Sequence, residues 1–192
     1  MRKMLLIAVF AAMGLASCTP AENTNTNTNN SNRIVAASPS PSVAASPSPR
    51  HDDATFAADA AQSNTAEIAL GRLAAQKAKN PEVKKFTQRL IADHSKALAE
   101  LKQTATRKNI TLPADVKPEQ KQTHDRLSSL SGAEFDREFM TVMVEGHQKS
   151  ATNFQAEANN GTDPDLKALA AKILPIIQEH LRMAREISGK LQ

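Results

Sequence analysis

The 192-residue chain has no tryptophan and no tyrosine, and its aromatic content is six phenylalanines. Without indoles or phenols it has little to stack on bases or sugars, which argues against a reader of single-stranded nucleic acid. Its one cysteine is Cys18. A single thiol cannot build an internal disulfide framework or a cysteine-based zinc site. Six glycines and few β-branched runs argue against an all-β sandwich. There is no Gly-rich phosphate loop, and no serine sits in a nucleophile elbow. No nucleophile–base pair of catalytic type is legible, so the chain reads as a non-enzyme. Charge of one sign is also lacking: 24 Lys and Arg face 20 Asp and Glu, for a net +4. The signs are interspersed over the folded part, which describes a solvated surface rather than a nucleic-acid face. Alanine, by contrast, fills 32 positions. Ala surrounded by Leu, Lys, Glu and Gln reads as helix.

The first residues set a compartment. Arg2 and Lys3 precede a run of about a dozen apolar or small residues from Met4 to Ala16. That run is too short for a bilayer span of ~20 helical residues and suits a secretory signal segment. It ends in Leu15-Ala16-Ser17-Cys18, which resembles a bacterial lipobox. On this reading residues 1–17 are a lipoprotein signal peptide and Cys18 becomes a lipidated N-terminus. Acyl chains contribute ~0.8 kcal/mol per buried methylene, and stable attachment takes more than one chain. The membrane is therefore an expected partner and nucleic acid is not. Thr19 is not an inner-membrane retention signal of the Asp type. The expected address is the outer membrane, facing the periplasm, in a Gram-negative host.

Residues 18–53 read as a disordered linker behind the lipidated cysteine. Ser, Pro, Asn and Thr fill 21 of the 35 positions from 19 to 53, including two Ser-Pro-Ser-Pro elements. Such a segment cannot bury enough apolar surface to offset its ordering entropy. As a coil it would span about 30–35 Å.

Residues 54–192 form one domain. A first helix is expected from about Ala54 to Lys79. Asn80-Pro81-Glu82 supplies an N-cap, a proline at the first helical position and an early acid, and so starts a second helix. That helix fades near Lys108-Asn109. A short connecting helix is expected between Pro118 and Leu130. Ser131-Gly132-Ala133-Glu134 fits a capping box for the next long helix. Asn159-Asn160-Gly161 stops that helix, and Asp163-Pro164 caps the last. Two antiparallel hairpins and a connector make an all-α four-helix bundle. Pro175 is expected to kink the last helix.

Helical spacing places four polar residues on apolar stripes: Glu67, His94, His147 and His180. Glu67 and His94 are equidistant from the Asn80-Pro81 turn, and His147 and His180 from the Asp163-Pro164 turn. At 1.5 Å per residue the pairs lie ~20 Å and ~25 Å from their turns. Both depths are near mid-bundle, so three histidines and one glutamate can converge in the core. Two meanings stay open. One is a buried polar network that fixes helix register. The other is a site for a transition metal such as zinc, copper or iron. The Glu-x-x-His pattern of di-iron bundles is absent. Met140 and Met143 read as core filling. Asp93 and Glu179, one residue from their histidines, point to solvent or to an outer shell around the site. His51 and His124 read as surface residues.

Several motifs together resemble the bacterial DUF 4142 family. They are Phe135-Asp136-Arg137-Glu138-Phe139-Met140 with Glu145-Gly146-His147, Leu174-Pro175 with Glu179-His180-Leu181, Ala92-Asp93-His94 and Leu112-Pro113. The resemblance covers about residues 54–190. It implies a ferritin-like bundle, export to the envelope and signature positions at Glu67, His94, His147 and His180. It implies no reaction. The leading expectation is a lipid-anchored, non-enzymatic envelope or stress-related protein. The alternative is a metal-binding or metal-storing bundle that uses the His/Glu cluster. A weaker third is a bundle that takes a small apolar ligand between its hairpins.

Overall fold

The computed structural model describes residues 52–192. The leader, Cys18, His51 and nearly all of the linker lie outside the described residues. Five helices follow in order: α1 (Asp53–Lys77), α2 (Pro81–Arg107), α3 (Pro118–Ser129), α4 (Gly132–Asn160) and α5 (Pro164–Lys190). No strand occurs among the described residues. None of these helices is long and apolar enough to cross a membrane.

The helix starts follow local chemistry. Asp52 accepts the Ala54 N–H at 3.1 Å, so α1 begins one residue before Ala54. Asn80 Oδ1 accepts the N–H groups of Glu82 and Val83 at 2.8 and 3.3 Å. Asp163 Oδ1 does the same for Asp165 and Leu166 at 2.9 and 3.1 Å. Each satisfies donors that the first helical turn leaves unpaired. The end of α2 is a Schellman closure. Asn109 adopts φ 55, Ile110 N–H bonds Ala105 O at 2.9 Å and Asn109 N–H bonds Thr106 O at 3.2 Å.

Two expected end signals act differently. Ser131 makes no side-chain cap bond to α4. Gly132 enters the helix at φ 62, a left-handed step that glycine takes without steric cost. Gly161 ends α4 at φ −54, outside the left-handed region. A Cβ there would lie 2.5 Å from Glu157 Oε1, so glycine is required for closeness rather than for a turn. α5 runs through Pro175 as one helix. Pro175 and Ala171 are both exposed, so water can reach the carbonyl that loses its intrahelical donor.

α1 packs on α2, α4 on α5, α2 on α5 and α1 on α4, which closes a four-helix ring. Two carboxylates fix the ring's directions. Asp136, near the start of α4, accepts the backbone N–H of Lys79 at 3.1 Å and of Asn80 at 2.7 Å. Asp53, at the start of α1, accepts those of Thr162 and Asp163 at 2.9 and 2.7 Å. Each hairpin's turn is thus held by the first helix of the other hairpin, and α1 runs antiparallel to α4. The two aspartates precede Ala78 and Gly161 by the same 25 residues. Phe56 and Phe139 follow them at the same step, as do Asn80-Pro81 and Asp163-Pro164 before the returning helices. The hairpins are therefore a structural repeat, which the sequence reading missed. α3 crosses outside, against α1 and α4.

The apolar core is in two parts. One holds Phe56, Leu101, Phe154, Leu166 and Ile173. The other holds Leu70, Phe86, Leu90, Phe135, Phe139 and Met143. Buried Asn64, Glu67, His94, His147 and His180 lie along the same four helices at levels between them.

Candidate metal centre

The four long helices each send polar groups to this layer: Asn64 and Glu67 from α1, His94 from α2, His147 from α4 and His180 from α5. His94 Nε2 lies 3.3 Å from His147 Nε2 and 3.3 Å from His180 Nδ1. One nitrogen from each of the three rings falls within 4.8 Å of the others. The depth equality read from the sequence becomes direct approach of three side chains.

The opposite nitrogen of each ring decides what the inner nitrogens are. Asn64 Nδ2 donates to Ala60 O at 2.7 Å, which turns its oxygen toward His94 Nδ1 at 3.0 Å. That oxygen only accepts, so His94 Nδ1 carries the hydrogen. His147 Nδ1 lies 2.8 Å from Met143 O, again an acceptor. His180 Nε2 lies 2.9 Å from the Asp93 carboxylate. All three outer nitrogens donate, so in the neutral form of each ring the inner nitrogen carries the lone pair. His94 Nε2 stands 3.3 Å from each of the other two inner nitrogens, and in the neutral state it has no hydrogen to share with either. A cation between them resolves the conflict. Nitrogens placed ~2.0–2.1 Å from a tetrahedral ion stand ~3.3–3.4 Å apart. The outer acceptors are the partners that orient imidazole ligands in metal sites.

Glu67 is beside the trio rather than within it. Its Oε2 is 2.9 Å from His94 Nδ1 and 3.8 Å from His147 Nε2. Burial pushes its carboxyl up, but the rings of His94 and His147 outweigh that and bring it to about 2. Burial pushes His180 down to about 4, helped by its two histidine neighbours and opposed by Asp93. Burial also lowers His147. Both rings are neutral at pH 7 and keep their lone pairs. Phe86, fully buried, lies edge-on to His147 and His180 with centroids 6.3 and 6.0 Å away, and gives the site an apolar wall.

Sequence reasoning did not single out Asn64 or the Met143 carbonyl. Asp93, read as solvent-facing or outer-shell, holds His180 in place. Met140 and Met143 are buried core residues. The His124 side chain is 41% exposed and outside the core.

Fold and centre together define a helical-bundle protein with a buried histidine trio. Residues 38–187 match the family described as a domain of unknown function, DUF4142, and the chain belongs to that family. No curated protein sequence gives a match. Among solved structures, the crystal structure of a DUF305 fragment from Deinococcus radiodurans is similar, with TM-score 0.64 and 14% identity over 74% of this chain and 97% of that one. CopM in the Cu(II)-bound form gives TM-score 0.63 and 21% identity over 73% and 97%. CopM in the Cu(I)-bound form gives 0.61 and 20% over 72% and 96%. At these identities the likeness shows the fold.

Proposed function

We propose that this protein is a lipid-anchored, non-enzymatic metal-binding bundle of the cell envelope, and that His94, His147 and His180 hold one transition-metal ion. The observation that carries the reading is the convergence of three inner ring nitrogens, each ring held by a hydrogen-bond acceptor on its far side. Neutral imidazoles suit copper, zinc, nickel and iron, and copper binds most tightly of these. The copper-bound CopM structures support copper as the first ion to test. The test is titration of chelator-treated protein with copper and zinc, with elemental analysis of protein purified from its native envelope. One ion per chain is expected, and none in the variant His94→Ala/His147→Ala/His180→Ala. Wild-type protein that takes up no stoichiometric metal would leave the register-fixing polar network as the function of the layer.

The anchor has its own test. In this reading Cys18 carries the acyl chains and the Ser/Pro/Asn/Thr-rich segment spaces the bundle from the lipid surface. Cys18→Ala is expected to move the protein from the membrane fraction to the soluble fraction. An unchanged membrane fraction, with no lipid mass on the mature N-terminus, would refute it.

A further inference from the structure

A cleft of about 320 Å³ opens between α1 and α4 under α3. Ser63, Ala66 and Leu70 of α1, Gln120 of α3, and Met143 and Gly146 of α4 line it. Glu67 also lines it, although the residue is buried. Gly146 puts no side chain in front of this carboxylate. A Cβ built on Gly146 would stand 3.5 Å from Glu67 Oε1. The other oxygen, Oε2, is the one 2.9 Å from His94 and 3.8 Å from His147. One carboxylate therefore reaches the cleft with one oxygen and the histidine trio with the other. Oε2 is buried, and its one near donor, the His94 Nδ1–H at 2.9 Å, is shared with the Asn64 amide oxygen at 3.0 Å. A buried carboxylate oxygen whose one donor is shared is under-satisfied, and a passing cation would complete its partners.

The surroundings fit cation traffic. Of the three cations that line the cleft, Lys117 is paired with Asp59 at 2.8 Å and Arg126 with Glu138, while the charge of Lys149 is opposed by Glu119 and Glu145 on the same lining. A second void, which reaches Asp93, Ile173, Ile176 and Ile177 and shares Ser63, Glu67 and Ser150 with the cleft, measures about 10 Å³. That is room for about one water and too little for a hydrated ion to pass.

We propose that the α1–α4 cleft is the loading port of the histidine centre and that Glu67 is the relay that passes the ion inward. The inference rests on the metal reading above. Its test is stopped-flow mixing of the metal-free full chain with Cu(II). Gly146→Leu, which fills the cleft, is expected to slow loading and release alike by about tenfold, with unchanged affinity. Glu67→Gln, which keeps shape and removes charge, is expected to slow loading about tenfold while the d–d spectrum of the filled site stays the same. Ile176→Phe, on the α5 side, should load at the wild-type rate. Normal loading in both cleft variants, or slowing only in Ile176→Phe, would overturn the port and leave the metal site standing. An altered spectrum in Glu67→Gln would make Glu67 a ligand and overturn the relay. Wild-type protein that binds no copper would remove the metal reading and the port together.

Discussion

Copper-loaded protein is expected to melt roughly 10 °C above chelator-treated protein when free metal exceeds the dissociation constant about a thousandfold. The cause is linkage. A ligand bound only by the folded chain stabilises it by ~4 kcal/mol at that ratio, and each kcal/mol moves the midpoint of a domain this size by a few degrees. The folded chain alone supplies the site, because its nitrogens come from three helices separated by up to 86 residues of sequence. With its rings neutral, the metal-free trio brings three acceptors together without a shared hydrogen. Removing one acceptor therefore costs little in that state. His147→Leu is expected to abolish the copper shift and to leave the metal-free melting temperature close to wild type. Its hydrogen-bond partner, Met143 O, is a backbone carbonyl within α4 and keeps its helical bond. A register-fixing network makes the opposite prediction. There His147→Leu would lower the metal-free midpoint sharply, and copper would shift neither protein. Calorimetry of the two proteins, with and without copper, separates these outcomes.

Much of this arrangement was legible in the chain. Asn80-Pro81 and Asp163-Pro164 marked the turns because cap chemistry is local and needs no tertiary partner. Equal distances from those turns then put Glu67 level with His94 and His147 level with His180. Asn64 was illegible for a different reason. α1 carries alanine on nearly every face, so its sequence has little apolar contrast to show which stripe turns inward. The packed helix buries Asn64 three residues before Glu67, on the same inward face. Asp136 stood inside the motif Phe135-Asp136-Arg137-Glu138-Phe139-Met140, but nothing local reports that it accepts a turn amide 56 residues away. The signal that could have found it is the repeat itself: Asp-x-x-Phe at 53 and 136, each the same distance before a turn and its Pro-capped helix. The outer acceptor on His147 is a backbone carbonyl, which no side-chain pattern reports.

Acid should unfold the metal-free protein in two stages, and the sign of the first stage tests the lone-pair geometry. An exposed histidine in the unfolded chain takes up a proton near pH 6.5, whereas folded His180 does so only near 4. Between those values the unfolded state binds more protons, so stability falls as pH falls. For His180 the loss is about 3 kcal/mol in full. Burial of His147 lowers its affinity for a proton as well, so it acts in the same direction. The second stage belongs to Glu67. Its folded carboxyl titrates at about 2 against 4.5 for an ordinary glutamate, so its contribution holds above 4.5 and is lost as pH falls from there toward 2. The melting temperature of chelator-treated protein should therefore drop steadily from near neutrality to about pH 4 and further below it. Bound copper occupies the lone pairs that protons would take, so loaded protein should hold its midpoint to lower pH. A trio that instead shared a proton in the folded state would bind protons more tightly than the unfolded chain. Its midpoint would rise on mild acidification from neutral pH. Thermal melts across this range, with and without chelator, distinguish three converging acceptors from a protonated cluster by direction alone.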